Sequence, residues 1–338
     1  MKTQSTERKR RVVLFARVAV SLAFLAFLFT QVDDVDPSRL VPSWTLSTIL
    51  WLMGAAVLTF VGIGLSTMRW HQVLTAMGIH TRWRHLFSHY LAGQFISNVL
   101  PTTIGGDVVR VTRLSRESGH SPNTFASVVL ERLSGWLVLP LITFVGLLLN
   151  PGLRELGRAT ALAVAVAAAT LCGLALVLVA VANERLGGRF AAKEGWTRFA
   201  GAVHLGLDKF RRHPSAAAWV IAAGVLYQLV MVGAALMATQ ALDIDPVGPT
   251  ALLAFLPAVL VIQVLPIGIS GLGLREAAFV IFLGPLGVST EQAIALGLCL
   301  YLLNLVTSLP GAHAFAFDPR RPGGRRGRPG RTPSEAVA

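Results

Sequence analysis

Residues 100–110 read LPTTIGGDVVR, and residues 265–275 read LPIGISGLGLR. Each closes a short apolar run, 86–100 in one case and 250–265 in the other. Five positions agree: Leu100 with Leu265, Pro101 with Pro266, Ile104 with Ile269, Gly106 with Gly271, and Arg110 with Arg275. Proline ends a helix because it lacks a donor and collides with the preceding turn. Glycine supplies the turn and lets backbone approach a neighbour closely. Two apolar segments are therefore broken in the same way, and charge is placed at each break.

What surrounds the breaks is membrane-like. The chain has 338 residues, 54% hydrophobic and 14% charged, where soluble domains are about 25% charged. Apolar runs lie at 18–32, 46–68, 133–149, 159–182, 215–241 and 291–311. A span needs about 20 mostly apolar residues. The first run reaches that length only by borrowing 12–17, including Arg17, which can snorkel to the inner interface. The 133–149 run reaches back through Glu131 and Arg132. The longest polar stretch, 183–214, is too short for a soluble catalytic domain. Arg8 to Arg11 followed by an apolar run imitate a signal peptide, but the run ends in FTQVDD without small-x-small cleavage residues, so a retained first helix is expected.

Charge orients the spans. Lys and Arg accumulate on the cytoplasmic side. With the N-terminus inside, segments 1–11, 69–89, 105–123, 183–214 and 312–338 face the cytoplasm and carry 24 of the 30 Lys and Arg. The outside loops 33–45, 150–158, 242–249 and 284–290 carry 3. This count holds only if 86–104 and 250–268 are re-entrant, entering and leaving on one side. Re-entrant backbone must be satisfied by protein or by a watery cavity. Each half then reads span, span, re-entrant, span, over 12–149 and again over 159–311. Three crossings per half put the second half upside down. The expected fold is thus an all-α polytopic membrane protein of two inverted repeats, each with three spanning helices and one re-entrant broken helix. A basic cytoplasmic N-terminus (1–11) and a disordered basic cytoplasmic tail (312–338) flank them.

Inverted repeats with matched broken helices point to transport, with a site where the breaks meet. Pro101, Gly105, Gly106, Pro266, Gly271 and Gly273 form the breaks. The helix restarting after Asp107 exposes N–H groups that favour anions. Arg110 and Arg113 share a helix face, and arginine forks suit phosphate oxygens. Ionisable groups at membrane depth are costly and functional or paired; Glu131–Arg132 and Arg275–Glu276 qualify. Neighbours in a helix point about 100° apart, so Glu131 and Arg132 are expected to pair elsewhere, for example with Asp107 or Arg110. The substrate-binding candidates are Asp107, Arg110, Arg113, Glu131, Arg132, Arg275 and Glu276. Gln94, Asn98, Gln263, Ser270 and Asn304 line a cavity or bond between helices. A plainer reading also fits: kinks at the glycines and prolines, an N-cap at Asp107, and positive-inside arginines at 110, 113 and 116.

Other chemistries are weakly represented. Ser97 and Ser270 lack a His partner, and His71, His80, His85 and His89 fall in a basic loop where solvation is the default. No catalytic residue is assigned. No cofactor is expected, and no metal, because Cys172 and Cys299 lie singly in apolar runs and read as buried thiols. GISGLGLRE has no strand before it, so it is not a nucleotide loop. The net charge of +13 faces anionic headgroups rather than nucleic acid, since no basic domain exists to carry such binding. Residues 196–213 are amphipathic, with Trp196, Phe199, Val203, Leu207 and Phe210 at three- and four-residue spacing, and are expected to lie on the inner membrane surface.

Gln94-Phe95-Ile96-Ser97-Asn98 through Pro101, then Gly105-Gly106-Asp107 and Arg110, then Glu131-Arg132, then Pro266, Ser270-Gly271-Leu272-Gly273 and Arg275-Glu276 together resemble the lysylphosphatidylglycerol synthase transmembrane family. The resemblance covers roughly 12–311. It implies a flippase-like domain in a bacterial-type inner membrane, whose partners are membrane lipids. In full-length members a soluble domain transfers the amino acid; none follows the membrane part here, so the lipid-translocating half is implied, with a separately encoded synthase as a possible partner. The rival readings are a membrane-embedded enzyme of lipid or glycan assembly, using Asp107 and Glu131 as acid and base, and an accessory subunit of such a synthase.

Overall fold

The computed structural model describes residues 42–99, 105–119, 121–182, 194–265 and 271–316. The first span (18–32), Pro101, Pro266, Ser270 and the tail after residue 316 lie outside them. The described residues form helices α1 (Leu46–Ala76), α2 (Trp83–Val99), α3 (Gly105–Ser118), α4 (Ser121–Leu149), α5 (Arg158–Ala182), α6 (Glu194–Arg212), α7 (Pro214–Ala241), α8 (Pro249–Ile262), α9 (Leu274–Leu283), α10 (Thr290–Ser308) and α11 (Pro310–Ala316). Short 3₁₀ turns follow α4 and α9. Five helices, α1, α4, α5, α7 and α10, are long and apolar enough to cross a membrane. The protein is a multi-pass helical membrane protein.

Helix ends follow local chemistry. Thr45 caps α1 by accepting from the Thr48 amide, which satisfies an otherwise orphaned donor. At the other end Gly78 adopts φ +78°, and the Ile79 amide returns to the Leu74 carbonyl, the glycine-terminated stop expected of a Schellman turn. Ser289 and Gln292 cap α10 reciprocally. Pro310 ends α10, so the run expected as one span over 291–311 is a span and a short final helix instead.

Helices α1 and α7 pack along much of their length, and α8 lies along α4. Small residues permit these approaches. A Cβ on Gly146 of α4 would stand 2.4 Å from the Ala254 amide nitrogen of α8. A Cβ on Gly62 of α1 would meet Met231 and Tyr227 of α7. The largest apolar core gathers α7, α8, α9 and α10, with Phe255 stacked on Phe282 at 5.5 Å. Large apolar side chains remain exposed on the outer faces, among them Leu46, Leu148 and Leu176. On a membrane protein these are the lipid-facing surface. Cys172 shares that surface: it is exposed on α5, and Cys299 is half-buried. The buried-thiol reading therefore fails for Cys172, because α5 is peripheral and most of it faces outward.

Two further expectations are corrected. The segment 69–89 is not a loop: α1 continues to Ala76, with Arg69, Trp70, Val73 and Leu74 buried. The helix expected to restart after Asp107 begins earlier, at Gly105, and buries Gly106, Arg110 and Leu114. The amphipathic 196–213 stretch does form a helix, α6, which packs on α4 with Val203 buried.

Candidate functional site

A cavity of about 310 Å³ opens within the bundle. Its charged lining is Arg69 from α1, Asp107 and Arg110 from α3, Glu131 and Arg132 from α4, and Arg275 from α9. The two halves of the chain thus converge on one space.

Close backbone contact positions the α3 groups. A Cβ on Gly106 would fall 2.1 Å from the Gly93 carbonyl oxygen and 2.2 Å from Ser97 Oγ, and one on Gly93 would fall 2.7 Å from Arg110 Cγ. Only glycine at both positions lets α2 and α3 touch. Arg110 then lies between two rings, its Cζ 4.2 Å from the Trp70 centroid and 4.3 Å from that of Tyr90. Trp70 is itself held by donating from Nε1 to Ser127 Oγ at 2.9 Å. Such stacking suits a planar, weakly hydrated guanidinium.

Ion pairs join α1, α3 and α4. Glu131 receives Arg69 Nη2 on Oε1 at 2.5 Å and Arg110 Nη2 on Oε2 at 3.0 Å. Asp107 faces Arg110 Nη1 at 3.5 Å through Oδ1 and pairs with Arg132 Nε through Oδ2. Glu131 and Arg132 therefore pair elsewhere than with each other, as expected. Arg69 threads between helices: a Cβ on Gly135 or Gly224 would stand 3.3 or 3.4 Å from its Nη1. All of Arg69, Arg110 and Glu131 are buried, where an ion left alone would be costly.

The second break is built differently. Arg275 and Glu276 do pair with each other, Nη2 to Oε1 at 2.5 Å. The other Glu276 oxygen accepts the Gly273 amide at 2.6 Å. Glu276 thus caps the N-terminus of its own helix, and a Cβ on Gly297 would crowd it at 2.9 Å. Gly271 and Gly273 have φ of +76° and +85°, the left-handed region that glycine tolerates. Arg275 remains in the cavity wall with its Cζ 5.4 Å from the Tyr301 ring centroid.

Sequence-chosen residues divide by placement. Gln94, Asn98, Asp107, Arg110, Glu131, Arg132, Gln263, Arg275 and Asn304 all line the cavity. Asn98 also donates to the Asn304 carbonyl and Ser308 Oγ, so it both lines the space and links α2 to α10. Glu276 stands behind Arg275 rather than in the lining. Arg113 lies away from the cavity: its guanidinium donates to the Ala314 and Phe315 carbonyls at 2.9 and 3.0 Å, tying α3 to the end of α11. Arg69, Trp70, Tyr90 and Tyr227 were missed. Arg69 looked like the edge of an apolar window, yet Trp70, Val73 and Leu74 continue the helical spacing beyond it. His85 and His89, expected to be solvated, instead bracket Glu117 at 2.8 Å each, joining α2 to α3.

The family model described as the lysylphosphatidylglycerol synthase TM region matches residues 14–311. A UPF0104 membrane protein of Methanothermobacter thermautotrophicus is 29% identical over 120 residues. That match covers 34% of this chain and 36% of the relative's own length.

Proposed function

The chain belongs to the lysylphosphatidylglycerol synthase transmembrane-region family, and from that premise we propose that it is a flippase-like protein that translocates or handles a phosphate-containing lipid headgroup, of phospholipid or polyprenyl-phosphate type. The supporting observation is the cavity, a partly open space whose arginines come from both halves of the chain. Arginine at membrane depth is expensive and persists where it serves a pathway or a ligand. Its planar donor fork matches phosphate oxygens.

The inverted-repeat reading accompanies this one. Helix α2, the break and α3–α4 in the first half correspond to α8, the break and α9–α10 in the second. Helices α1 and α7 are counterparts and pack on each other, while α8 lies on α4 as α2 lies on α10 and α11. Such reciprocal packing is what a pseudo-two-fold axis between the halves produces. On this reading Arg110 and Arg275, just past the two breaks, share one midplane site, with N- and C-termini in the cytoplasm of a bacterial-type plasma membrane. The basic face meets anionic headgroups.

Headgroup-labelled phosphatidylglycerol in proteoliposomes tests transport. The wild-type chain should scramble or flip the label, and Arg110→Ala and Arg275→Ala should each slow it about tenfold or more. Wild-type rates in both variants would overturn the site.

A further inference from the structure

We infer that the cavity selects a headgroup carrying one negative charge, a phosphodiester, over an aminoacylated cationic one. This rests on the lipid-handling reading above, but it concerns which headgroup binds rather than whether it moves.

Among the described residues, four guanidinium groups (Arg69, Arg110, Arg132 and Arg275) meet three carboxylates (Asp107, Glu131 and Glu276) in or directly behind the cavity wall. One positive charge is in excess. Every carboxylate oxygen already faces a donor: Glu131 has Arg69 and Arg110, Asp107 has Arg110 and Arg132, and Glu276 has Arg275 and the Gly273 amide. An incoming ammonium finds no unpaired carboxylate, only the neutral Gln228 Oε1, which makes no hydrogen bond in the wall, and it raises the excess charge further.

Donors, in contrast, are in surplus. A guanidinium offers five N–H groups, and Nε of Arg69 and of Arg110 make no hydrogen bond. A buried positive excess is relieved by an anion. A phosphodiester brings one negative charge and neutralises it; a terminal phosphate monoester, nearer two, overshoots. The amides of Gln94 and Gln263 in the wall suit ester and hydroxyl oxygens beside the phosphorus. The same chemistry belongs to an anionic glycerophospholipid and to a sugar-phosphoryl polyprenol.

Competitive retention by the full-length purified protein tests this, read by native mass spectrometry. The probes are phosphatidylglycerol, a sugar-phosphoryl polyprenol, polyprenyl monophosphate, phosphatidylethanolamine and lysylphosphatidylglycerol in equal amounts. One or both phosphodiester monoanions should be retained about tenfold over the lysyl lipid; which one leads identifies the source. Arg275→Gln removes the excess charge and should erase the preference for phosphatidylglycerol over phosphatidylethanolamine. Asp107→Asn adds a charge and should move preference toward the monophosphate. Equal or better retention of the lysyl lipid by the wild-type chain overturns the inference, and that comparison needs no variant to fold. Selective retention without flipping would sink transport and leave this inference standing. Flipping with lysyl-lipid preference would do the reverse.

Discussion

Arg110 is gripped by two aromatic rings and by Glu131, whereas Arg132 keeps 38% of its side chain exposed. The two arginines therefore do different work, one organising the wall and one reachable from the cavity. Glu131 is the common anchor, because its two oxygens neutralise Arg69 and Arg110 together. Glu131→Gln strands both cations and should cost about 3–5 kcal/mol, read as a drop in unfolding midpoint in detergent. Glu117→Gln, at the half-buried histidine clip, should cost far less; equal losses would argue against the anchor role. Gly106→Ala places a Cβ 2.1 Å from a carbonyl oxygen. Overpacking of that kind costs about 1–3 kcal/mol. It should also loosen Arg110, because α2 and α3 must separate to admit the methyl group. A wild-type midpoint for Gly106→Ala would mean that the helices do not touch there.

Helices explain which residues could be found by pattern and which could not. Helix α11 is only seven residues long, too short to persist by itself. Its last carbonyls are held by Arg113, and Gly311 sits directly on the Leu91 backbone. Arg113→Ala should therefore release α11 while leaving the cavity wall intact. Hydrogen exchange over 310–316 should quicken at least about tenfold, with phosphatidylglycerol retention unchanged. Loss of lipid retention without faster exchange would return Arg113 to the binding site. At the second break, Gly271→Ala meets both a left-handed φ and the Gln263 backbone at 2.9 Å. It should lower the yield of folded protein more than Gly78→Ala, where φ is similar but the space is open.

At the scale of the molecule, orientation is the decisive quantity. On a cysteine-free background, Arg116→Cys and Arg211→Cys should label with a membrane-impermeant maleimide only from the cytoplasmic side. Asp245→Cys should label only from outside. Labelling of Arg116→Cys from outside would make α2 a full crossing and would undo the inverted repeat, since the count of 24 cytoplasmic Lys and Arg against 3 outside depends on re-entry.

The amino-acid sequence alone determined that this is a helical membrane protein, where most of its spans lie, and, Arg69 apart, which residues are costly enough at that depth to require partners. Apolar run length and the expense of buried charge are local properties, so composition and spacing expose them. The identity of each partner was decided by tertiary structure. Nothing in residues 69–76 announces that Arg69 reaches across 62 positions to Glu131, or that Trp70 and Tyr90 close on Arg110. Those contacts depend on helix crossings set by Gly93, Gly106, Gly135 and Gly224. A crossing is a relation between two distant segments, and neither segment encodes it by itself.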